Sequence, residues 1–459
     1  MTVKQSIDAA QVHDVLGRRI LADGFDMVLD LENSKGPYLY CSKYERNYLD
    51  FFTFFASNPL GMNHPMMSDP DFLNKITRVA VNNPSNSDVY TREMAEFVDT
   101  FDRVGIPSYL PHAFFVAGGA LAVENALKVA FDWKVQKNHQ KGYRHEKGHK
   151  VLHFEQAFHG RTGYTMSLTN TEPNKVARFP KFDWPRIHNP KMIFPITEEN
   201  TMKVAEAEKM ALAQAERWFE IHKDDIAAII LEPIQGEGGD NQFRPEFHQA
   251  LRDLADRHEA LLIYDEVQTG VGLTGKFWCH EHYVKPDIIA FGKKAQVCGI
   301  LAGERVDEVK TNVFKVSSRI NSTWGGNLVD MVRFQRYLEV IEAENLVDNA
   351  AKVGAYLLEK LHAFTAEHTY VTNARGKGLM CAFDFPDHHS RAAFTSECHK
   401  NGLLILQCGT HSVRFRPPLT VTTAHIDEGM EIITRSYKEA VSRCPVVHMR
   451  NVKAGNGKA

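Results

Sequence analysis

The chain has 459 residues, 43% of them hydrophobic and 24% charged, and its 54 Lys and Arg against 57 Asp and Glu give a formal charge of −3. So much apolar surface can offset the entropy of ordering, which excludes disorder over most of the length. The near-neutral balance offers no broad field for a phosphate backbone, so nucleic-acid binding is set aside. Apolar runs such as Ile226 to Leu231 and Ala260 to Ile263 fall far short of the ~20 residues of a membrane span.

The opening stretch through Met27 mixes charges among apolar residues and has no signal-like hydrophobic region. The seven cysteines, at 41, 279, 298, 381, 398, 408 and 444, are scattered and form no CxxC pair. That usage predicts reduced thiols in a cytoplasmic protein, without a disulfide framework or a zinc ribbon.

In chain order, a helix-like stretch precedes two short strands, Pro37 to Cys41 and Asn47 to Phe51. Phe114 to Val116 reads as a buried strand, followed by Ala117-Gly118-Gly119 and a helix from Leu121 to Lys137. Apolar runs at Val151–Phe154, Ala227–Leu231, Leu261–Tyr264 and Ile288–Phe291 alternate with helical stretches. This is the pattern of an α/β fold with a mostly parallel central sheet, both faces covered by helices. Beyond it come helices from Met331 to Glu344 and Val353 to Glu367, strand-like pieces (Gly378 to Phe385, Leu403 to Gln407, Ser412 to Phe415), a final helix from Asp427 to Ser442, and a frayed tail after Arg443. Residues 66–328 are therefore read as a large domain, and 1–65 and 329–459 as the two parts of a smaller α+β domain.

Three segments carry chemistry. Gly118-Gly119-Ala120, between a strand and a helix, leaves backbone N–H groups free at the helix's positive end, an anion site; a tight βα turn needs the same glycines, and neither GxGxxG nor a P-loop is present. Leu261 to Tyr264 ends in Asp265-Glu266, which places carboxylates at the sheet edge where open α/β folds bind ligands. Ile288 to Phe291 is followed by Gly292-Lys293-Lys294. A phosphate seat, a carboxylate to keep a pyridine nitrogen protonated and a lysine for a Schiff base are what pyridoxal 5'-phosphate requires. After Val151–Phe154, Phe158 is placed to stack on a flat ring and Arg161 offers a planar fork for a carboxylate.

The run LLIYDEVQTGVGLTGKFWCHEHYVKPDIIAFGKK resembles the signature of class III aminotransferases among the fold-type-I pyridoxal phosphate enzymes, and the likeness extends over nearly the whole chain. Stretches such as FFVAGGALAVENALKVAFDWK, LEPIQGEGGDNQFRP, RINSTWGGN and VRFRPPLTV are most similar to the branch of that family acting on the terminal amine of L-lysine. The resemblance implies that Lys294 is the Schiff-base lysine, with Lys293 as fallback, that Asp265 partners the ring nitrogen, and that Gln268 lies near the ring's 3-oxygen. It further implies that Gly119 and Ala120 hold the phosphate and that Phe158 stacks on the ring. Ser322 and Thr323 would reach the phosphate of a neighbouring subunit, making a homodimer with shared sites. Ala117 departs from the polar residue expected there. The implied reaction transfers the ε-amino group of L-lysine to 2-oxoglutarate, giving L-glutamate and a semialdehyde that cyclises. Ornithine and 4-aminobutyrate transaminases are the alternatives, then a pyridoxal phosphate aminomutase or decarboxylase, then a non-catalytic scaffold.

Two unlike substrates must share one site. An arginine that suits the α-carboxylate of 2-oxoglutarate would face a bare methylene chain when lysine binds, so it needs a removable partner. The resemblance implies that Glu237 and Arg416 are that gate pair, with the glycines around Glu237 supplying loop freedom, and that Arg161 holds the distal carboxylate; without it, a solvated loop carboxylate and a surface cation would be the plainer readings. Substrate choice would rest on Ala56-Ser57-Asn58 and Val297-Cys298-Gly299. No metal is expected. His139, His145 and His149 lie in a basic run without ligand spacing, and Cys279 to His282 and His388-His389 fit no motif either.

Overall fold

The structure is a computed structural model, and it describes residues 7–368 and 370–442. The tail after Arg443, with Cys444, lies outside the described residues.

The central sheet has seven strands in the order His112–Val116, Cys298–Ala302, Ile288–Phe291, Leu261–Asp265, Ile226–Leu231, Lys150–Phe154, Arg186–Ile187. All run the same way except Cys298–Ala302, which is antiparallel to both neighbours. The inner strands show no polar alternation because both faces are buried. On one face Ala228, Ile230, Ile263 and Ala290 pack with Val123, Leu127, Ala130 and Trp133 of the Gly119–Gln140 helix. On the other, Ile229, Leu262, Tyr264, Ile289 and Phe291 join Phe97, Phe101, Leu251 and Phe334. Successive residues of one strand thus serve two different cores.

In the sequence Val297-Cys298-Gly299 reads as a pocket segment, with no strand assigned there; Cys298–Ala302 is a strand. The chain reverses through a tight turn at Lys293–Ala295, and so short a link can pair only antiparallel neighbours, parallel ones needing a crossover of a dozen or more residues. The stretch from Leu403 to Gln407 is likewise two strands. Leu403–Leu404 pairs with Leu49 and Asp50 of the N-terminal sheet, and Leu406–Cys408 pairs with Ser412–Phe415 in a separate four-stranded sheet. The two ends of the chain therefore share a sheet.

Between the N-terminal sheet and the central one, Thr53, Phe54, Phe55 and Ala56 form a left-handed turn, with φ of 42°, 50°, 62° and 64°. Left-handed conformations cost L-residues about 1–2 kcal/mol each, so the surroundings must impose this one. Asp50 Oδ1 accepts the N–H groups of Phe52 (2.9 Å) and Thr53 (2.7 Å), and Thr53 Oγ1 donates to the carbonyl of Arg416 at 2.7 Å. Burial pushes the Asp50 carboxyl up to about 6 against the pull of those two N–H groups. The folded chain therefore keeps this proton at pH values where the unfolded chain has lost it, and the stability drawn from Asp50 falls as pH rises from about 4 to 6. Asp50→Asn keeps the accepting oxygen and removes the charge. Its melting temperature relative to the parent is expected to climb across pH 4–6 and then level off; calorimetric scans at stepped pH check this, and a flat difference would contradict it.

Candidate active site

The two chemistry-bearing strands, Leu261–Asp265 and Ile288–Phe291, end at the same edge of the sheet as His112–Val116, and Val267 marks their meeting point. A Cβ added to Gly119 would lie 3.0 Å from a Val267 methyl, and one added to Gly292 would lie 3.5 Å from the same methyl. Glycine is required at 118 as well, where φ is 116°. No side chain caps the helix that starts at Gly119, so its first N–H groups stay free for an anion. Gly160 closes over this point, since a Cβ there would stand 2.5 Å from that of Ala120.

Asp265 is buried, its Oδ2 2.8 Å from His159 Nδ1 and its Oδ1 accepting the Val267 N–H at 3.1 Å. His159 was passed over in the sequence although it sits between Phe158 and Arg161; its adjacency to two candidates was the available signal. Its Nε2 is buried without a hydrogen-bond partner. Glu232 was missed too. Its carboxylate accepts the Phe158 and Gly236 N–H groups, each at 3.0 Å, and so ties the two loops together. Burial pushes its carboxyl up to about 7.

Of the two lysines, Lys294 is the buried one. Its Nζ donates to the carbonyls of Gln268 (2.6 Å) and Ala56 (3.3 Å), so the left-handed turn supplies one of its acceptors. Burial, with Lys293 and Arg416 nearby, holds this amine well below the usual lysine range. A lysine seated on neutral carbonyls with a depressed pKa is an amine prepared to act as a nucleophile. Lys293 is half-buried, with its pKa lowered to about 8 by burial and by Arg414 and Arg416.

The expected gate pair is not formed. Arg416 is bound to Asp240 through both carboxylate oxygens, Nη1 at 2.8 Å and Nη2 at 2.5 Å. Its Nε and Nη2 also reach Gln268 Oε1, at 3.2 and 3.0 Å, and Nη1 reaches its neighbour's carbonyl. Every N–H group of Arg416 is thereby engaged, leaving none for a substrate. Glu237 instead pairs with Arg414, Oε2 to Nη2 at 2.8 Å, and with Lys175, Oε1 to Nζ at 2.5 Å. Arg414 and Arg416 alternate on one side of the Ser412–Phe415 strand and its continuation, so the sequence offered two arginines two residues apart and only packing distinguished them. Arg414 is buried, yet its Nε and Nη1 have no partner. Burial opposes charge on Glu237, but Arg414 and Lys175 outweigh it and hold the carboxyl down at about 2.

The glycines around Glu237 also serve a different purpose from the one expected. A Cβ at Gly236 would lie 2.4 Å from the Gln268 amide, and one at Gly238 would lie 2.0 Å from the Gln156 carbonyl. They permit close packing, and the loop is buried except at Glu237. Any release of Arg414 is thus a side-chain rotation.

Phe158 is half-buried, with Lys175 Nζ 5.7 Å from its ring centre. Arg161 is exposed and forms no hydrogen bond or ion pair with the described residues. Ser322 and Thr323 lie on a surface loop whose carbonyls are held by Ser85 and Ser87. Among the described residues no group of three or more His, Cys, Asp or Glu is placed to hold a metal, and His280 is turned to Glu266, Nδ1 to Oε1 at 3.1 Å.

Sheet, helix start and buried lysine together place the molecule among the fold-type-I pyridoxal phosphate enzymes. The class III aminotransferase family model matches residues 21–436. The L-lysine-epsilon aminotransferase of Mycobacterium bovis is 55% identical over 92% of this chain and 94% of its own length. That of Amycolatopsis lactamdurans is 53% identical over 94% and 96%. The structure of a lysine aminotransferase from M. tuberculosis in the internal aldimine form superposes with a TM-score of 0.93 at 53% identity, covering 95% of this chain and 100% of that one. The chain belongs to the class III aminotransferases and is a pyridoxal-phosphate-dependent transaminase. Its residues fit the cofactor: free N–H groups at an uncapped helix start, a buried carboxylate steadied by His159, and a buried lysine without an acid partner.

Proposed function

We propose that the protein is an L-lysine 6-aminotransferase that moves the ε-amino group of L-lysine to 2-oxoglutarate. The observation that carries this reading is the full-length likeness to enzymes named for that activity. Bound pyridoxal phosphate supplies an aldehyde and an electron-accepting ring, through which an amino group leaves one substrate and joins another. In this reading Gly119 and Ala120 offer N–H groups to the phosphate, Phe158 covers the ring face, Asp265 keeps the ring nitrogen protonated, and Gln268 lies beside the ring oxygen. Lys294 attaches the cofactor and then moves the proton at the reacting carbon as base and acid.

The gate is Glu237 with Arg414. With lysine bound, Glu237 neutralises Arg414; when an α-carboxylate arrives, Glu237 turns away and the guanidinium, two of whose nitrogens already lack partners, takes the incoming oxygens. Arg416 positions Gln268, and Arg161 holds the distal carboxylate. Ser322 is half-buried and Thr323 exposed, next in the chain to the exposed Trp324; this surface loop supports a homodimer that shares its sites. The six described cysteines, all free and buried, accord with a cytoplasmic enzyme, and no helix among the described residues is long and apolar enough to cross a membrane.

Titrating the cofactor-loaded protein with L-lysine, without a keto acid, tests the reading. The cofactor's absorbance is expected to convert to its aminated form as a cyclic semialdehyde product appears. Conversion by ornithine or 4-aminobutyrate but not by lysine would replace the substrate and keep the class.

A further inference from the structure

The gate described above requires somewhere for Glu237 to go. A half-buried carboxylate, its side chain 22% exposed, that simply left Arg414 would be a poorly compensated charge, and its cost would favour staying put and competing with the substrate. Glu237 does not face that choice. Its Oε1 is already 2.5 Å from Lys175 Nζ while Oε2 holds Arg414. Lys175 is anchored in turn by Glu172, 2.8 Å away, and lies over the Phe158 ring. The four charges alternate in sign through successive contacts, Arg414 to Glu237, Glu237 to Lys175 and Lys175 to Glu172. Moving Glu237 wholly to Lys175 leaves it paired, and Glu172 keeps Lys175 compensated when Glu237 turns toward Arg414.

Resting on the gate reading, we propose that Lys175 is a specificity-determining residue, the second cation that receives Glu237 and so lets Arg414 bind the α-carboxylate of the keto acid or of glutamate. Lys175 belongs to the short Pro173–Val176 helix, within a stretch that carried no motif. It touches no reacting atom; it meets the site through Glu237 and the face of the Phe158 ring, and its effect on the gate runs through Glu237. Its removal therefore affects the half-reaction that needs Arg414 vacant and spares the one in which Glu237 remains there.

Lys175→Met is expected to raise KM for 2-oxoglutarate and for glutamate about tenfold and leave the lysine half-reaction within about twofold, with Lys175→Arg restoring the parent values. Affinity for glutarate, a dicarboxylate that cannot react, read from the change in cofactor absorbance, should fall in parallel. In a Glu237→Ala background the same Lys175→Met change should do nothing, since no carboxylate remains to be received. Equal losses in both half-reactions, no loss, or an effect that persists undiminished without Glu237 would overturn the proposal while the gate stands. A Glu237→Ala protein equally impaired with lysine and glutamate would overturn the gate itself and this proposal with it.

Discussion

Lys294→Ala is expected to lose transamination by roughly 1000-fold or more, the combined loss of the covalent attachment and of the group that moves the proton. It should also lose the covalent link to the cofactor, seen as the absence of the adduct mass after borohydride reduction and denaturation. Lys293→Ala should retain the adduct and lose activity only several-fold. The distinction follows from burial and from what each amine touches. Lys294 is seated on the carbonyls of Gln268 and Ala56 and held well below the ordinary lysine pKa by burial and two neighbouring cations. An adduct that survives in Lys294→Ala and vanishes in Lys293→Ala would reverse the assignment.

Arg414→Met is the second change with a large expected effect. Removing one member of a buried charge pair typically costs 2–5 kcal/mol, so kcat/KM for 2-oxoglutarate and for glutamate should fall about 100-fold or more. The lysine half-reaction should change far less, because Glu237 remains paired with Lys175. Arg416→Met is expected to behave differently. It strands Asp240, itself 2% exposed, and frees the Gln268 amide, so it should lower the melting temperature and slow both half-reactions alike. Glu237→Ala completes the set, impairing lysine more than glutamate. Stopped-flow measurement of each half-reaction separates these outcomes; a selective keto-acid defect in Arg416→Met, with an even one in Arg414→Met, would return the gate to Arg416.

Local signals were legible where local physics decides. The apolar runs at 226–231, 261–265 and 288–291 are strands because nothing else buries both faces of so short a segment. Gly118 and Gly119 announce a helix start with free N–H groups, and an acid after one strand with lysines after the next places the groups pyridoxal phosphate needs at one sheet edge. Less was legible where a residue's part depends on what approaches from elsewhere. Nothing near residue 298 announces an antiparallel strand, since that depends on the reversal at Lys293 and a vacant place beside His112–Val116. His159 and Glu232 look like ordinary loop residues until the fold sets one against Asp265 and lets the other bridge Phe158 and Gly236.

The amino-acid order by itself therefore determined the α/β architecture, the chemistry of the cofactor site and the family, because each depends on periodicity and on residue types at short spacing. Only the tertiary structure decided which arginine pairs with Glu237 and which glycines are there for space. Arg414 and Arg416 are identical side chains two residues apart on one side of a strand. The difference between them is that Asp240, Gln268 and the Phe415 carbonyl occupy every donor of one, while Glu237, shared with Lys175, leaves the other partly unpaired. Such pairing is settled by groups far apart in the chain that meet when the sheet and the C-terminal strands pack together, and no local pattern encodes it.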